Sequence, residues 1–367
     1  MNKVVGCNPP RTVLVVYDGR KGPTATQRIS FGQPFDMAPG AATCIRFETD
    51  RAEGEIDRSF DKHEPDLLVL SRFTSESGSH WISRARLAGI PVIFHLDDDL
   101  LAVPSSLGTA KHNAYNDPDR LRTLRRNIEG ADLLYASTRE LARRLQEHGV
   151  KTAIVAGDIY CSVAPADVGE LLPAATGPVI GYMGTGGHSA DLAMIMPAVC
   201  EVMEAIPSLQ FEVFGTVEMP SELERFARRI RHLPAVTDYS DFIPRLRSLG
   251  WWIGLAPLED NQFNRCKADT KWVEYSLAGI AVIASDLPVY QRACGEECGI
   301  LARTTDDWSR GLLTLLGDPR ARREMIQKAQ FKLRDRYSHD SLRNQVLGIF
   351  GKAAAAARDS NQASISR

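Results

Sequence analysis

The chain contains no long apolar run. No window reaches the ~20 apolar residues that cross a bilayer, and the opening MNKVVGCNPPRT is too polar for a signal peptide, so a soluble or at most peripheral protein is expected. An excess of one charge is missing as well. Lys and Arg number 44 against 46 Asp and Glu, a formal net charge of −2, whereas a nucleic-acid-binding domain is usually strongly basic. Cysteine is sparse and odd in number: Cys7, Cys44, Cys161, Cys200, Cys266, Cys294 and Cys298 are scattered along the chain. That argues against a disulfide framework and for a reducing cytoplasm. Cys294 and Cys298 have no second Cys or His pair at ligand spacing, so no metal site is read from them. Gly (28) and Pro (20) are too few for a low-complexity or disordered chain.

What is present is a globular composition, 44% hydrophobic and 25% charged over 367 residues, and about two domains are expected from that length. Short β-branched runs alternate with amphipathic helical stretches twice over, the pattern of α/β domains with parallel sheets. In the first half strands are expected at Thr12–Val16, Asp66–Leu70, Val92–His95, Leu133–Ala136 and Thr152–Val155, with helices at Ser79–Ala88, Pro118–Glu129 and Arg139–Glu147. Residues 163–177, VAPADVGELLPAATG, break the rhythm and read as a linker. Strands at Val179–Met183, Leu209–Gly215, Trp252–Ala256 and Ile280–Ala284 then alternate with helices at Asp191–Ile206, Pro220–Ile230, Tyr239–Ser248 and Lys267–Ala278. We read residues 1–165 as one Rossmann-like domain, 175–335 as a second, and 336–358 as a C-terminal helix packing back toward the first. Two such sheets leave a cleft between the carboxyl ends of their strands, so chemistry is sought in strand-to-helix loops.

Three segments carry candidates. In VIGYMGTGGHSAD, residues 179–191, an apolar strand runs into a glycine-rich loop and a helix start. Gly184, Thr185, Gly186, Gly187 and His188 would present backbone N–H groups there, and a phosphate is the natural guest. No Gly-Lys-Ser/Thr follows, so this is not a Walker loop; a plain tight turn is the ordinary alternative. His188 could touch that phosphate or the group it carries, or merely cap the helix. In residues 257–286, PLEDNQFNRCKADTKWVEYSLAGIAVIASD, Lys267, Lys271 and Glu274 fall at i, i+4 and i+7, on one face of a helix whose opposite face is Trp272, Val273 and Leu277. Two ammonium groups can neutralise a diphosphate, and a carboxylate can accept two ribose hydroxyls. A solvated face with an ordinary Lys–Glu pair is the bland reading.

The third segment is His95-Leu96-Asp97-Asp98-Asp99, at the end of an apolar strand. Adjacent carboxylates repel, so one could keep a raised pKa and act as base on a hydroxyl. We take Asp98 as the preferred base with His95 and Asp97 beside it, and place Asp99 and Arg72 on the molecule that carries the hydroxyl, the acceptor. Three acids could also ligate a divalent cation, and a helix start with one capping Asp is the third reading. The basic stretches at residues 119–127 and 225–232 could meet anionic lipid heads, solvated helix faces being the default.

The run FNRCKADTKWVEYSLAGIAVIASDLPVY, with GYMGTGGHSADL and FEVFG upstream, resembles the nucleotide-sugar domain of GT-B glycosyltransferases. It is most similar to the bacterial subgroup with a Lys-Ser-x-x-Lys-x-x-Glu-Tyr helix and a Gly-Ile-Pro-Val-Val-Ala-Ser strand. PDLLVLSR, GIPVIFHLDDDLLAVP and GADLLYASTRELARRL resemble the acceptor domain of that subgroup. The resemblance implies a two-domain enzyme that moves a hexosyl or deoxyhexosyl group from a nucleotide diphosphate sugar to a glycan or lipid-linked glycan, in cell-surface polysaccharide assembly. It implies a diphosphate on Gly186, Gly187, Lys267 and Lys271, a ribose on Glu274, and no metal or cofactor. A cytoplasmic protein, with peripheral contact at the inner face of the membrane, fits that role. Three departures are visible: Cys266 stands where retaining members often carry a second Glu, Ala281–Val282 replaces Pro-Val, and Trp251 replaces an Asp before the strand. A nucleotide-sugar epimerase of the same fold and a non-catalytic sugar-nucleotide or glycan binder are the alternatives.

Overall fold

The structure, a computed structural model, describes residues 9–19, 22–36, 42–168, 177–237 and 239–365; Cys7 and part of the expected linker lie outside them. The first sheet contains β1 (Thr12–Tyr17), β2 (Cys44–Thr49), β3 (Leu67–Ser71), β4 (Val92–Leu96), β5 (Leu133–Ala136) and β6 (Ile154–Ala156). The second contains β7 (Val179–Gly184), β8 (Gln210–Gly215), β9 (Ile230–Leu233), β10 (Ile253–Ala256), β11 (Ala281–Ser285) and β12 (Ile300–Ala302). Every pairing is parallel, in the orders β2-β1-β3-β4-β5-β6 and β12-β11-β10-β7-β8-β9. Strand order reverses between β1 and β3 and between β10 and β7, and ligands of open α/β sheets bind at such switch points.

Parallel strands covered by helices on both faces need apolar side chains at every position. LLVL in β3 and VIF in β4 meet that demand, and both strands are buried throughout, including the polar Ser71 and His95. The strands not expected from the sequence, β2, β9 and β12, lie at sheet edges or are only three or four residues long; β2, CIRFET, is largely half-buried and mixes charge with apolar residues. The helix expected over Asp191–Ile206 is two, Ser189–Ala193 and Met196–Ala205, because Pro197 cannot donate a backbone N–H and restarts the helix in its first turn. Pro220–Ile230 is instead a tight 3₁₀ segment, Ser221–Arg229, kinked at Phe226 before entering β9.

The chain crosses between the lobes at two adjacent points. Val163 bridges Ser338, and Ser162 Oγ lies 2.8 Å from His339 Nδ1. Beyond this crossing the helix His339–Ile365 brings Leu342, Val346, Ile349 and Phe350 into one core with Val13, Val15 and Phe31 of the first lobe. No described helix is long and apolar enough to cross a membrane.

Candidate functional site

β7 and β8 end side by side at Gly184 and Gly215. Gly215 has φ +128°, and a Cβ there would stand 2.1 Å from the Gly184 carbonyl oxygen, so only glycine lets the two strand ends close. The chain then turns through Gly186–His188, where the Gly186 N–H donates to Thr216 Oγ1 at 3.2 Å. The following helix, Ser189–Ala193, has only 5 residues, so its dipole is small and positive charge has to come from side chains.

The helix Thr270–Leu277 supplies part of it. Its start differs from expectation: Asp269 is the N-cap, so Lys267 lies in the turn between this helix and the helix Gln262–Arg265. Tyr275 anchors the helix by accepting from the Met183 N–H at 3.0 Å and donating to the Leu255 carbonyl at 3.0 Å, which ties it to both strands of the switch point. Gly254 is required beneath that ring, since a Cβ there would be 2.6 Å from it. Anchored in this way, the helix turns Lys271 and Glu274 into a cavity of about 280 Å³ that Gly184, Thr185, His188 and Thr216 also line.

Burial and the neighbouring Lys267 pull Lys271 down to about 8. Burial pushes Glu274 up to about 7 against the opposing effects of Tyr239 and Lys271; Tyr239 OH donates to Glu274 Oε1 at 3.0 Å. Phe214, Phe242 and Tyr239 stack in series with centroids 5.3 and 5.9 Å apart, and Phe214 and Phe242 present an aromatic wall to the cavity. The arrangement can take an anion at the lysines and a flat, hydroxyl-bearing group beside Glu274 and the rings.

On the facing sheet, β3 is followed by Arg72, a non-glycine residue at φ +52°, a backbone costing roughly 1–2 kcal/mol that tends to persist at functional sites. Its guanidinium contacts Asp97 and lies 3.1 Å from Asp98 Oδ2. Burial opposes the Arg72 charge, but Asp97 and Asp98 outweigh it and push the group above its ordinary value. Asp98 Oδ1 lies 3.3 Å from Lys267 Nζ, so Arg72, Asp98 and Lys267 form a chain across the cleft.

The three acids diverge. Asp97 accepts from Thr26 Oγ1 at 2.8 Å and Tyr160 OH at 3.0 Å; burial would raise it, yet Arg72 and these donors hold it well below the usual carboxylate range. Asp99 is 1% exposed and turned into the first lobe onto His148 Nε2 (2.9 Å) and Arg144 Nε (3.3 Å). The expected placement of Asp99 toward the acceptor is therefore corrected, because its oxygens are committed inside the lobe. His95 is fully buried between Phe31 and Tyr135 and pushed down to about 4 by burial, so its neutral ring does not reach the cleft beside Asp98. Among the described residues no three His, Cys, Asp or Glu side chains are grouped to hold a metal ion.

The departures from the resemblance also have places. Cys266 packs with Phe263 into the first lobe's core, and Thr138 Oγ1 donates to its carbonyl at 2.8 Å. Trp251 lies on Gly181 and donates to Glu212 at 2.7 Å, a role in sheet packing. Of the basic stretches, Arg225 pairs with Glu204, Arg231 with Glu212 and Arg126 with Glu76, while Arg229 caps carbonyls from Met203 to Leu209. Sequence reading missed Tyr239 and Asp191; Asp191 sits three residues after His188, a spacing at which side chains on a helical turn meet, and that was the available signal.

No family model and no curated protein matches the sequence. Solved structures do match in fold. HepE of Anabaena in complex with UDP and glucose superimposes with a TM-score of 0.65 at 15% identity, over 92% of this chain and 99% of that one. Sucrose-phosphate synthase of Thermosynechococcus elongatus gives 0.66 at 14% identity, over 94% and 100%. The pneumococcal O-GlcNAc transferase GtfA in complex with UDP and GlcNAc gives 0.54 at 13% identity, over 83% and 59%. Two parallel six-stranded sheets with their helices, facing across a cleft and followed by a helical C-terminal segment, make the GT-B architecture, and that is the fold of this chain.

Proposed function

We propose that the protein is a glycosyltransferase that moves a hexosyl or deoxyhexosyl group from a nucleoside-diphosphate sugar to a hydroxyl of a glycan or lipid-linked glycan, as in cell-surface polysaccharide assembly. The observation that carries this reading is the convergence of Lys271, Glu274 and the glycine-rich loop on one cavity, with Lys267 reaching Asp98 on the facing sheet. That HepE and GtfA are seen with UDP supports a nucleotide in the corresponding cavity. Lys267, Lys271 and the loop N–H groups stabilise the leaving diphosphate without a metal, Glu274 accepts ribose hydroxyls, and Phe214 and Phe242 flank the base. Asp98 is the base that an inverting transfer requires, with Arg72 orienting it. A lipid-linked acceptor would bring the protein to the inner face of a membrane, which co-sedimentation with anionic vesicles tests.

A thermal-shift panel of UDP, TDP and GDP sugars tests the donor site, since a ligand at 100 Kd adds about 2.7 kcal/mol of apparent stability. No shift with any of them removes the reading. Isomerisation of the bound donor without acceptor, followed by NMR, would replace transfer with epimerisation.

A further inference from the structure

His188 stands between an acid and two lysines. Its Nδ1 is 2.8 Å from Asp191 Oδ2. Asp191 is 4% exposed, and its other oxygen accepts from the Glu259 N–H at 2.8 Å and from Asn264 Nδ2 at 3.1 Å. A carboxylate accepts, so the contact to Oδ2 assigns the Nδ1 proton to His188 and leaves Nε2 as the lone-pair nitrogen of a side chain that lines the cavity.

Lys271, burial and Lys267 hold the imidazole neutral at about 4, with Asp191 opposing them. A neutral ring of this tautomer offers the cavity a lone pair, which repels a phosphate oxygen. A diphosphate changes the balance, because its two or more negative charges offset the two ammonium groups that kept the ring neutral. Glu274, on the same helix as Lys271, lines the same cavity as the ring, and Lys111 comes toward the loop from the other lobe, 3.9 Å from where a Gly187 Cβ would sit.

We propose that His188 and Asp191 form a proton-linked diphosphate clamp: as a nucleoside diphosphate enters, the imidazole takes up one proton from solvent and donates Nε2–H to a phosphate oxygen, while Nδ1–H stays on Asp191. Only an N–H bond forms, and the proton returns to solvent when the diphosphate leaves. The inference rests on the nucleotide-sugar reading and adds to it a proton-coupled step. Asp191 touches no ligand; it is a positioning residue that also ties the glycine-rich loop to the 259–264 segment leading to Lys267.

Calorimetric titration of the full chain with UDP, in buffers of differing ionisation enthalpy near pH 7, measures the protons taken up. The parent should take up more of a proton per UDP than His188→Gln, because the phosphate of UDP, Lys271 and Glu274 titrate in both proteins and cancel in the difference. The difference should shrink in Asp191→Asn, whose ring is less easily charged, and vanish as pH rises through the imidazole's value in the complex. UDP affinity should fall with rising pH more steeply in the parent than in His188→Gln. UDP bound by both proteins with equal proton uptake overturns the clamp and leaves the nucleotide reading standing; UDP bound by neither overturns both. A measurement on the parent alone guards against a variant that fails to fold. Among its 8 histidines, one imidazole should pass from neutral to charged in the 15N spectrum when UDP is added, and no such change overturns the proposal.

Discussion

Lys267 of the second lobe and Asp98 of the first meet across the cleft, Nζ to Oδ1 at 3.3 Å. Their side chains are 18% and 22% exposed, so solvent screens the pair and it contributes only about 0.2–1 kcal/mol. Under the proposed function a diphosphate, carrying more charge than one carboxylate, would compete for the same ammonium group, which would link donor arrival to release of Asp98.

That linkage gives Asp98→Asn two effects. Transfer should slow by roughly 10²–10⁴-fold, the usual contribution of a general base. UDP should bind up to about fivefold more tightly, because Lys267 no longer has a competing acid. Full turnover of the variant would remove Asp98 as the base, and unchanged UDP affinity by calorimetry would show that the pair does not oppose the donor.

Lys271→Ala should weaken UDP by about 1.5–3 kcal/mol, the range for a hydrogen bond to a charged group, while its circular dichroism stays that of the parent. Lys271 projects from the helix into the cavity, whereas the helix is held by Tyr275 and Trp272. An unaltered Kd in this variant would argue against a diphosphate beside Lys271.

Glu274 makes the stability of the protein sensitive to pH. Its carboxyl is raised from 4.5 to about 7 in the fold, so between those values the folded state binds the proton more tightly than the unfolded chain. Stability associated with this group is present at low pH and is lost as pH rises through about 7, by an amount on the order of 3 kcal/mol at roughly 1.4 kcal/mol per pH unit. Glu274→Gln should remove that loss, so its Tm should gain on the parent between pH 5 and 8.5. The same variant should bind UDP more weakly, having lost a charged acceptor for ribose. Parallel Tm curves for the two proteins would contradict the buried setting of Glu274.

Gly215→Ala should lower both Tm and UDP affinity. The φ of +128° and the 2.1 Å approach to the Gly184 carbonyl leave no room for a methyl group, and strain plus overpacking of this kind cost about 2–5 kcal/mol together. Relief requires Gly184 to move, and with it the cavity wall. Gly317→Ala, at the end of a helix where a Cβ meets nothing within 4 Å, is the control and should leave UDP affinity unchanged and Tm no lower than the parent's.

Much of this protein follows from local chemistry in the sequence. A strand inside a parallel sheet is buried on both faces, so it must be an apolar run, and β3, β4, β7 and β11 could be read without any knowledge of their neighbours. The same holds for the segments that supply the cavity, since a strand running into glycines and a Lys-rich stretch before a helix are recognisable in isolation. The edges are different. β2, β9 and β12 are short or half-exposed, and their composition does not distinguish them from loop until a neighbouring strand supplies the hydrogen bonds. Side-chain direction is likewise decided by partners distant in sequence. Asp97, Asp98 and Asp99 are consecutive, yet Tyr160, Lys267 and His148 draw them three ways. Lys267 falls outside the helix, which begins only at Thr270, and Glu274 acquires its raised value only when burial removes it from water beside Tyr239. A carboxylate's environment is set by what surrounds it in space, so only the tertiary structure could separate these acids.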